Sequence, residues 1–316
     1  METVYIDRKG SVLKVAQKRL LIQTEPDQRR PVSFPLSLLR SVVVTCDCTL
    51  DSAVMRQLAQ AGIALMFLNG KSSDASMVCY AMNHGNAQRR LAQYRLLSDD
   101  DSRLLIAQRL VRQKAGLQQR HLQRLTTERP ECRLPLRKSI DSIHAIRQQL
   151  MTQPIADLST LLGYEGAASR VYFAGYSAVF AESLQFTGRN KRPPKDPVNA
   201  VLSLTYTLVH YEAVRVCVAA GLDPQLGVLH TLYYNRESLA CDLVELLRSS
   251  VDHWVWNMFS IQILRADQFS IEEQGCRMNK AAREVYYPSI QVELRAWRKT
   301  LQRYAALLAK YLDANP

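Results

Sequence analysis

The chain has 316 residues, 47% hydrophobic and 22% charged, which are ordinary globular proportions and exclude disordered, collagen-like and low-complexity classes. Lysine and arginine number 41 against 29 aspartates and glutamates, a formal charge of +12 that favours polyanionic partners, nucleic acid first among them. Seven cysteines, an odd number with no CxxC pair, read as reduced thiols rather than as a disulfide frame or a zinc site.

Asp7, Arg8, Lys9, Lys14, Lys18 and Arg19 are scattered through the first thirty residues and leave no signal-peptide core. No apolar run approaches the ~20 residues needed to cross a bilayer. The expectation is a soluble, cytoplasmic protein with no membrane partner. Short β-branched or aliphatic runs at 4–6, 11–15, 19–23, 32–34 and 41–45 predict strands separated by turns such as Lys9-Gly10. Residues 51–60 have helical spacing (Val54, Leu58, Ala59), with Asp51 or Ser52 as N-cap and Gly62 as the stop. Residues 63–68 form an apolar run suited to a buried strand, and 76–80 close the sheet. The prediction is a small β-rich domain over 1–83, containing one helix.

Asn83-His84-Gly85-Asn86 is a turn-rich break, with 84–86 as linker, and strand signals stop there. Leu91, Tyr94 and Leu97 open a helical pattern that continues through 103–127, where Arg103, Arg109, Arg112, Lys114, Arg120 and Arg124 stand among leucines. Further helices are predicted at 140–150, from Asp157 to a stop at Gly163, and at 164–184, 199–220, 237–263 and 287–312. The fold class is therefore α+β and multi-domain: a β-rich amino-terminal domain, then a larger all-helical domain over 87–316. The positive charge is concentrated at 86–160, which carries 14 basic and 7 acidic groups.

Three segments can carry chemistry. In Gly163-Tyr164-Glu165-Gly166-Ala167-Ala168-Ser169-Arg170 a carboxylate opens a helix among small residues, as a metal ligand or catalytic acid needs. The ordinary alternative is a first-turn Glu favoured by the helix dipole. In the second, Gly227-Val228-Leu229-His230 precedes a helix on which Asp242 and Glu245, three residues apart, share a face. An imidazole with carboxylates can hold a divalent cation, magnesium or manganese before zinc; the alternative is a solvated face with Glu245 paired to Arg248 and a core His230. The third, 188–199, packs four cations (Arg189, Lys191, Arg192, Lys195) and three prolines into twelve residues, ending at Asn199 as a helix cap. Its alternative is an exposed charged linker. The other histidines form no metal or deaminase motif, and there is no Walker loop, nucleophile elbow or dinucleotide fingerprint.

Taken in this order, the three segments resemble the CRISPR-associated spacer-acquisition integrases, the Cas-one family, over nearly the whole chain. The resemblance implies a Mg²⁺ or Mn²⁺ site made by Glu165, His230 and Glu245, with Asp242 beside it or as an alternative ligand. The Leu246-Leu247-Arg248-Ser249 stretch departs from the Phe-Arg-Pro-like ending usual in that family. Further implied are transesterification joining DNA 3′-hydroxyl ends to a CRISPR repeat in antiviral defence, a homodimer formed through the β-rich domain, and a heterohexamer-like complex with the small Cas-two protein. Double-stranded DNA, both captured fragment and repeat, is the expected substrate. Arg170, Arg189, Lys191, Arg192, Lys195 and Arg248 are the expected phosphate contacts. The competing readings are a non-catalytic DNA-binding scaffold and a structure-specific repair nuclease.

Overall fold

The structure, a computed structural model, describes residues 2–24, 31–68, 77–79, 87–190, 193–231, 236–273 and 275–315. The chain divides into two compact units, Met1–His84 and Gly85–Pro316. The predicted 84–86 linker lies outside the described residues.

The first unit holds β1 (Glu2–Ile6), β2 (Ser11–Ala16), β3 (Arg19–Thr24), β4 (Val32–Pro35), β5 (Leu39–Val44), β6 (Cys48–Leu50), α1 (Ser52–Gln60), β7 (Ala64–Phe67) and β8 (Met77–Cys79). One sheet has the order β1-β5-β7-β8, parallel except for β8 at its edge; the other has the order β4-β3-β2-β6. Val42, Val43 and Val44 are all buried, the continuous apolar run of a central parallel strand. The β2–β3 hairpin turns through Gln17 and Lys18, both left-handed (φ 50° and 58°), whose twist suits a two-residue connection. Asp51 caps α1 by accepting from the Val54 amide at 2.8 Å, and Val54 and Leu58 then face a core of Val4, Ile6, Leu13, Leu20 and Leu65.

The second unit contains α2 (Ala87–Ser98), α3 (Asp100–Glu128), α4 (Arg133–Thr152), α5 (Leu158–Ser177), α6 (Pro197–Ala219), α7 (Ser238–Glu245), α8 (Arg248–Ser260), β9 (Phe269–Glu272), β10 (Gly275–Met278) and α9 (Lys280–Ala314). Helices α3, α4 and α5 pack on one another, while α6 packs against α7, α8 and α9. A β-carbon on Gly175 of α5 would lie 2.7 Å from the Ser139 hydroxyl of α4, so a glycine lets these helices close up. Among the described residues, no helix is long and apolar enough to cross a membrane.

Four sequence expectations are corrected. The unit is not all helical: β9 and β10 form an antiparallel hairpin. Helix α5 runs through Gly163, because an isolated glycine costs a helix only about 1 kcal/mol and no left-handed cap follows it. Glu165 consequently sits in the second turn of a continuous helix rather than at a helix opening. The predicted 237–263 helix breaks at Leu246-Leu247, where both side chains are buried and both amides tighten onto carbonyls three residues back. Helix α9 starts at Lys280, well before Pro288, whose missing hydrogen bond falls on the exposed side of the helix.

Candidate active site

Gly227 lies against the start of α7, where a β-carbon would sit 2.6 Å from the Ser238 carbonyl carbon, so only glycine allows this approach. The approach turns three successive amides onto the buried Asp242 carboxylate. Val228 and Leu229 donate to Oδ2 at 2.7 and 3.1 Å, and His230 donates to Oδ1 at 3.1 Å. The His230 ring adds a fourth contact, Nδ1 to Oδ1 at 2.7 Å. An ionised carboxylate only accepts, so the imidazole proton is placed on Nδ1 and Nε2 keeps its lone pair. Arg103 on α3 steadies the same segment from the other side, donating to the Val228 carbonyl at 3.0 Å.

A second cluster joins α3, α5, α7 and α8. Lys114 of α3, its side chain 5% exposed, donates to Glu165 of α5 and, at 2.5 Å, to Glu245 of α7. Ser169, one turn along α5, donates to the same Glu165 oxygen at 2.9 Å. Arg248 at the start of α8 donates to Glu245 Oε2 at 2.8 Å. Burial alone raises the Glu245 carboxyl, but Arg248, Lys114 and His230 outweigh it and hold the group well below the usual carboxylate range.

Beneath Arg248 lies a buried polar network. The guanidinium sits 4.6 Å from the centre of the Tyr206 ring. Tyr206 and Tyr172 both donate to the Asp252 carboxylate, Tyr172 at 2.7 Å, and Tyr176 donates to its backbone carbonyl at 2.6 Å. The Tyr172 proton goes to Asp252, so His121, 2.7 Å from the same hydroxyl, must carry its own proton on Nδ1. Burial pushes Asp252 up to about 6 even against its tyrosine donors. Burial, with His253 and Arg124 nearby, pushes His121 down to about 3.

The 188–199 segment is an anchored loop. Asn199 is fully buried and does not cap α6; Asp196 does, accepting from the Asn199 amide at 2.8 Å. The Asn199 side chain instead ties the loop, donating to the Gly188 carbonyl at 2.8 Å and accepting from Arg189 at 2.8 Å and the Asn190 amide at 3.0 Å. Gly275 (φ 105°) and Cys276 seat β10 on the loop, the Cys276 amide donating to the Pro194 carbonyl at 2.7 Å. Arg189 turns inward to Asn199, Ser203 and the Tyr206 face. Lys195 and Arg170 are exposed, whereas Lys191 and Arg192 lie outside the described residues.

Of the residues singled out in the sequence, the fold gathers Glu165 and Glu245 on one ammonium and pairs His230 with Asp242. Arg248 meets Glu245. Among the described residues, no three His, Cys, Asp or Glu side chains stand close enough to chelate an ion as they are. Lys114 is the residue that the motif reading passed over. Its signal is positional: on α3 it falls on the buried stripe of Ala107, Val111, Gln118, His121 and Leu125, where a cation needs an anionic partner. Two arginines of that helix also point inward: Arg103 binds the Val228 carbonyl and Arg112 the Leu150 carbonyl at 2.9 Å.

The family model described as CRISPR associated protein Cas1 matches residues 4–291. The chain belongs to the Cas1 family. A CRISPR-associated endonuclease Cas1 of Thermodesulfovibrio yellowstonii is 35% identical over 319 residues, which span 99% of this chain and 99% of that one. A second, from Thermus thermophilus, is 28% identical over 325 residues, 98% of this chain and 91% of the relative. Among solved structures, a Cas1 protein from Thermotoga maritima superposes with a TM-score of 0.85 at 21% identity, covering 99% of this chain and 97% of that one. A casposase bound to an integration product gives 0.83 at 19% identity, covering 100% and 92%. At such identities the shared property is the Cas1 fold, a small strand-rich region followed by a larger helical one.

Proposed function

We propose that this chain is a metal-dependent DNA integrase and endonuclease of CRISPR adaptation. The observation that carries the reading is the convergence of Glu165 and Glu245, from different helices, on a single cation beside a histidine whose Nδ1 is already held by Asp242. That donor set suits a hard divalent ion. The oxygens are carboxylates, the nitrogen is one imidazole Nε2, and a positive charge already stands between the carboxylates. Glu165, Glu245 and His230 would hold Mg²⁺ or Mn²⁺, which when bound supplies charge stabilisation at a phosphoryl oxygen.

Asp242 is a positioning residue in this scheme: four donors occupy its oxygens, and it fixes the tautomer and direction of His230. The exposed Arg170 and Lys195 neutralise DNA phosphates. The reaction exchanges one phosphodiester for another. The 3′-hydroxyl of a captured duplex bonds to phosphorus at a repeat boundary, the repeat's own 3′-oxygen leaves and takes a proton, and no nucleotide triphosphate is consumed. A structure described as a Cas6-RT-Cas1–Cas2 complex shares the fold at a TM-score of 0.81 and 19% identity. It supports a Cas2 protein as partner; the assembly we propose on the family resemblance is two homodimers of this chain, each formed through the β-rich unit, clamping a Cas2 dimer.

The test is half-site integration of a short duplex with free 3′-hydroxyls into a repeat-bearing plasmid, with Mn²⁺ or EDTA, with and without Cas2. Joining that needs metal and disappears in Glu165→Gln and His230→Ala is expected. Joining that survives in either variant refutes the site. DNA binding without joining under every condition makes the chain a scaffold, and cutting of branched DNA without joining makes it a repair nuclease.

A further inference from the structure

We propose that Lys114 is a built-in counter-cation for the ligand carboxylates, and that a divalent ion binds this site by exchanging with its ammonium. The inference rests on the metal-site reading above and adds a residue and a sequence of events to it.

A buried ammonium is tolerated only when it is paired. Lys114 is paired twice, with carboxylates contributed by two other helices, and its side chain is as buried as that of Glu245, each 5% exposed. These contacts do for the protein what a metal ion would do: they cancel the mutual repulsion of two acids and fix the spacing between α5 and α7 at the site. Among the described residues Arg248 is the further cation hydrogen-bonded to Glu245, and Ser169 supplies a neutral hydroxyl to Glu165. Without Lys114 the two carboxylates would face each other across the gap.

An ammonium and a divalent cation repel strongly at such separations, so both cannot lie between the same oxygens. Lysine carries its charge on a flexible four-carbon stem. The Glu165 side of the cluster is the open one, with that side chain 22% exposed against 5% for Glu245. The ammonium therefore has a partner that can move with it and a direction in which to leave. Exchange also accounts for the absence, among the described residues, of a chelating trio in the present geometry: the carboxylates are spaced for the lysine. The device keeps the site folded before metal arrives, at the expense of weaker metal binding.

The test uses the full chain, stripped of metal, with Mn²⁺ binding followed by electron paramagnetic resonance and thermal melting followed in EDTA and in Mn²⁺. Lys114→Met should bind Mn²⁺ at least roughly tenfold more tightly than the unaltered chain, since a like charge has been taken from the ion's position. It should also melt lower in EDTA and recover in Mn²⁺ by more than the unaltered chain does. Lys114→Gln, which keeps amide donors for both carboxylates but no charge, serves if the methionine variant does not fold, and the same gain is expected of it. Uptake that is abolished in Glu165→Gln but equal or weaker in the Lys114 variants overturns the exchange and leaves the metal site standing. No Mn²⁺ uptake in the unaltered chain or in either Lys114 variant overturns the metal-site reading itself.

Discussion

Replacing Asp242 by asparagine changes one oxygen to an amide nitrogen and tests how the histidine segment is held. The amide oxygen can keep the Val228 and Leu229 contacts, which both fall on Oδ2. The new NH₂ group then faces the His230 amide, which had donated to Oδ1, so donor meets donor. Leaving that amide unpaired costs about 1–3 kcal/mol, and loss of charge assistance at the two retained bonds removes about 1 kcal/mol from each. The sum, about 3–5 kcal/mol, corresponds to a fall in melting temperature of roughly 6–20 °C for a unit of this size. A second effect separates this account from simple destabilisation. The NH₂ group donates to His230 Nδ1, which drives the ring proton to Nε2 and removes the lone pair that a metal needs. Mn²⁺ affinity should then fall by roughly 10–100-fold without loss of any direct ligand. Calorimetry of melting and of Mn²⁺ binding reads both quantities. A variant that melts within about 2 °C of the unaltered chain and binds Mn²⁺ equally well would refute the positioning role.

Gly227→Ala should lose about 1–3 kcal/mol or more in urea denaturation, since its β-carbon would press on the Ser238 backbone and Cβ, none of which can swing aside. Gly166→Ala, in open space on α5, should instead gain up to about 1 kcal/mol; equal effects would show that the Gly227 approach is not tight. Arg248→Met removes one of the cations paired with a buried carboxylate and should cost about 3 kcal/mol of unfolding free energy, a loss that a change below about 0.5 kcal/mol would contradict. Acidification should act through two opposed groups. His121 is held near 3, below its ordinary 6.5, so between those values the unfolded chain takes up a proton that the folded one does not, and stability falls by up to about 5 kcal/mol. Asp252 is raised to about 6 from 3.8, so the folded chain binds the extra proton as pH falls through that window, and this contribution rises. Between pH 7 and 4 the His121 loss, about 3 kcal/mol, is largely offset by the Asp252 gain, about 2 kcal/mol, so urea denaturation should show only a shallow acid loss, which His121→Gln turns into a gain as pH falls; identical slopes in the two chains would remove His121 from the account.

The strands of the first unit were legible because alternation and valine runs are local signals, and Asp51 marked the start of α1 for the same reason. Glu165, His230, Asp242 and Glu245 stood out because acids and imidazoles sat beside glycines or at helical spacing. Their grouping followed from the family resemblance and not from spacing, since it depends on α3 packing on α5 and on Lys114 of α3 reaching Glu245 of α7. Asn199 was misread as a cap because caps and loop anchors use the same side chains; only the structure shows Asp196 in that role, with Asn199 buried behind it. The break between α7 and α8 escaped the periodic reading because Leu246 and Leu247 continue an apolar stripe while the backbone tightens around them. Lys114 looked like one more cation in an arginine-rich helix, and a charge on a buried stripe is recognisable only when the stripe is counted residue by residue.

The Lys114–Glu165 contact spans 51 residues, and Glu245 arrives only with α7, well after α6 has been made. On a ribosome, where domains fold from the amino terminus as they emerge, the cluster is among the last features to close. A chain interrupted before residue 238 carries neither Asp242 nor Glu245: its lysine faces one glutamate, and its histidine has no carboxylate to orient it. Products that end before α7 thus carry only the Lys114–Glu165 pair and an unoriented His230, and the chemistry of the site arises only once α7 has been added.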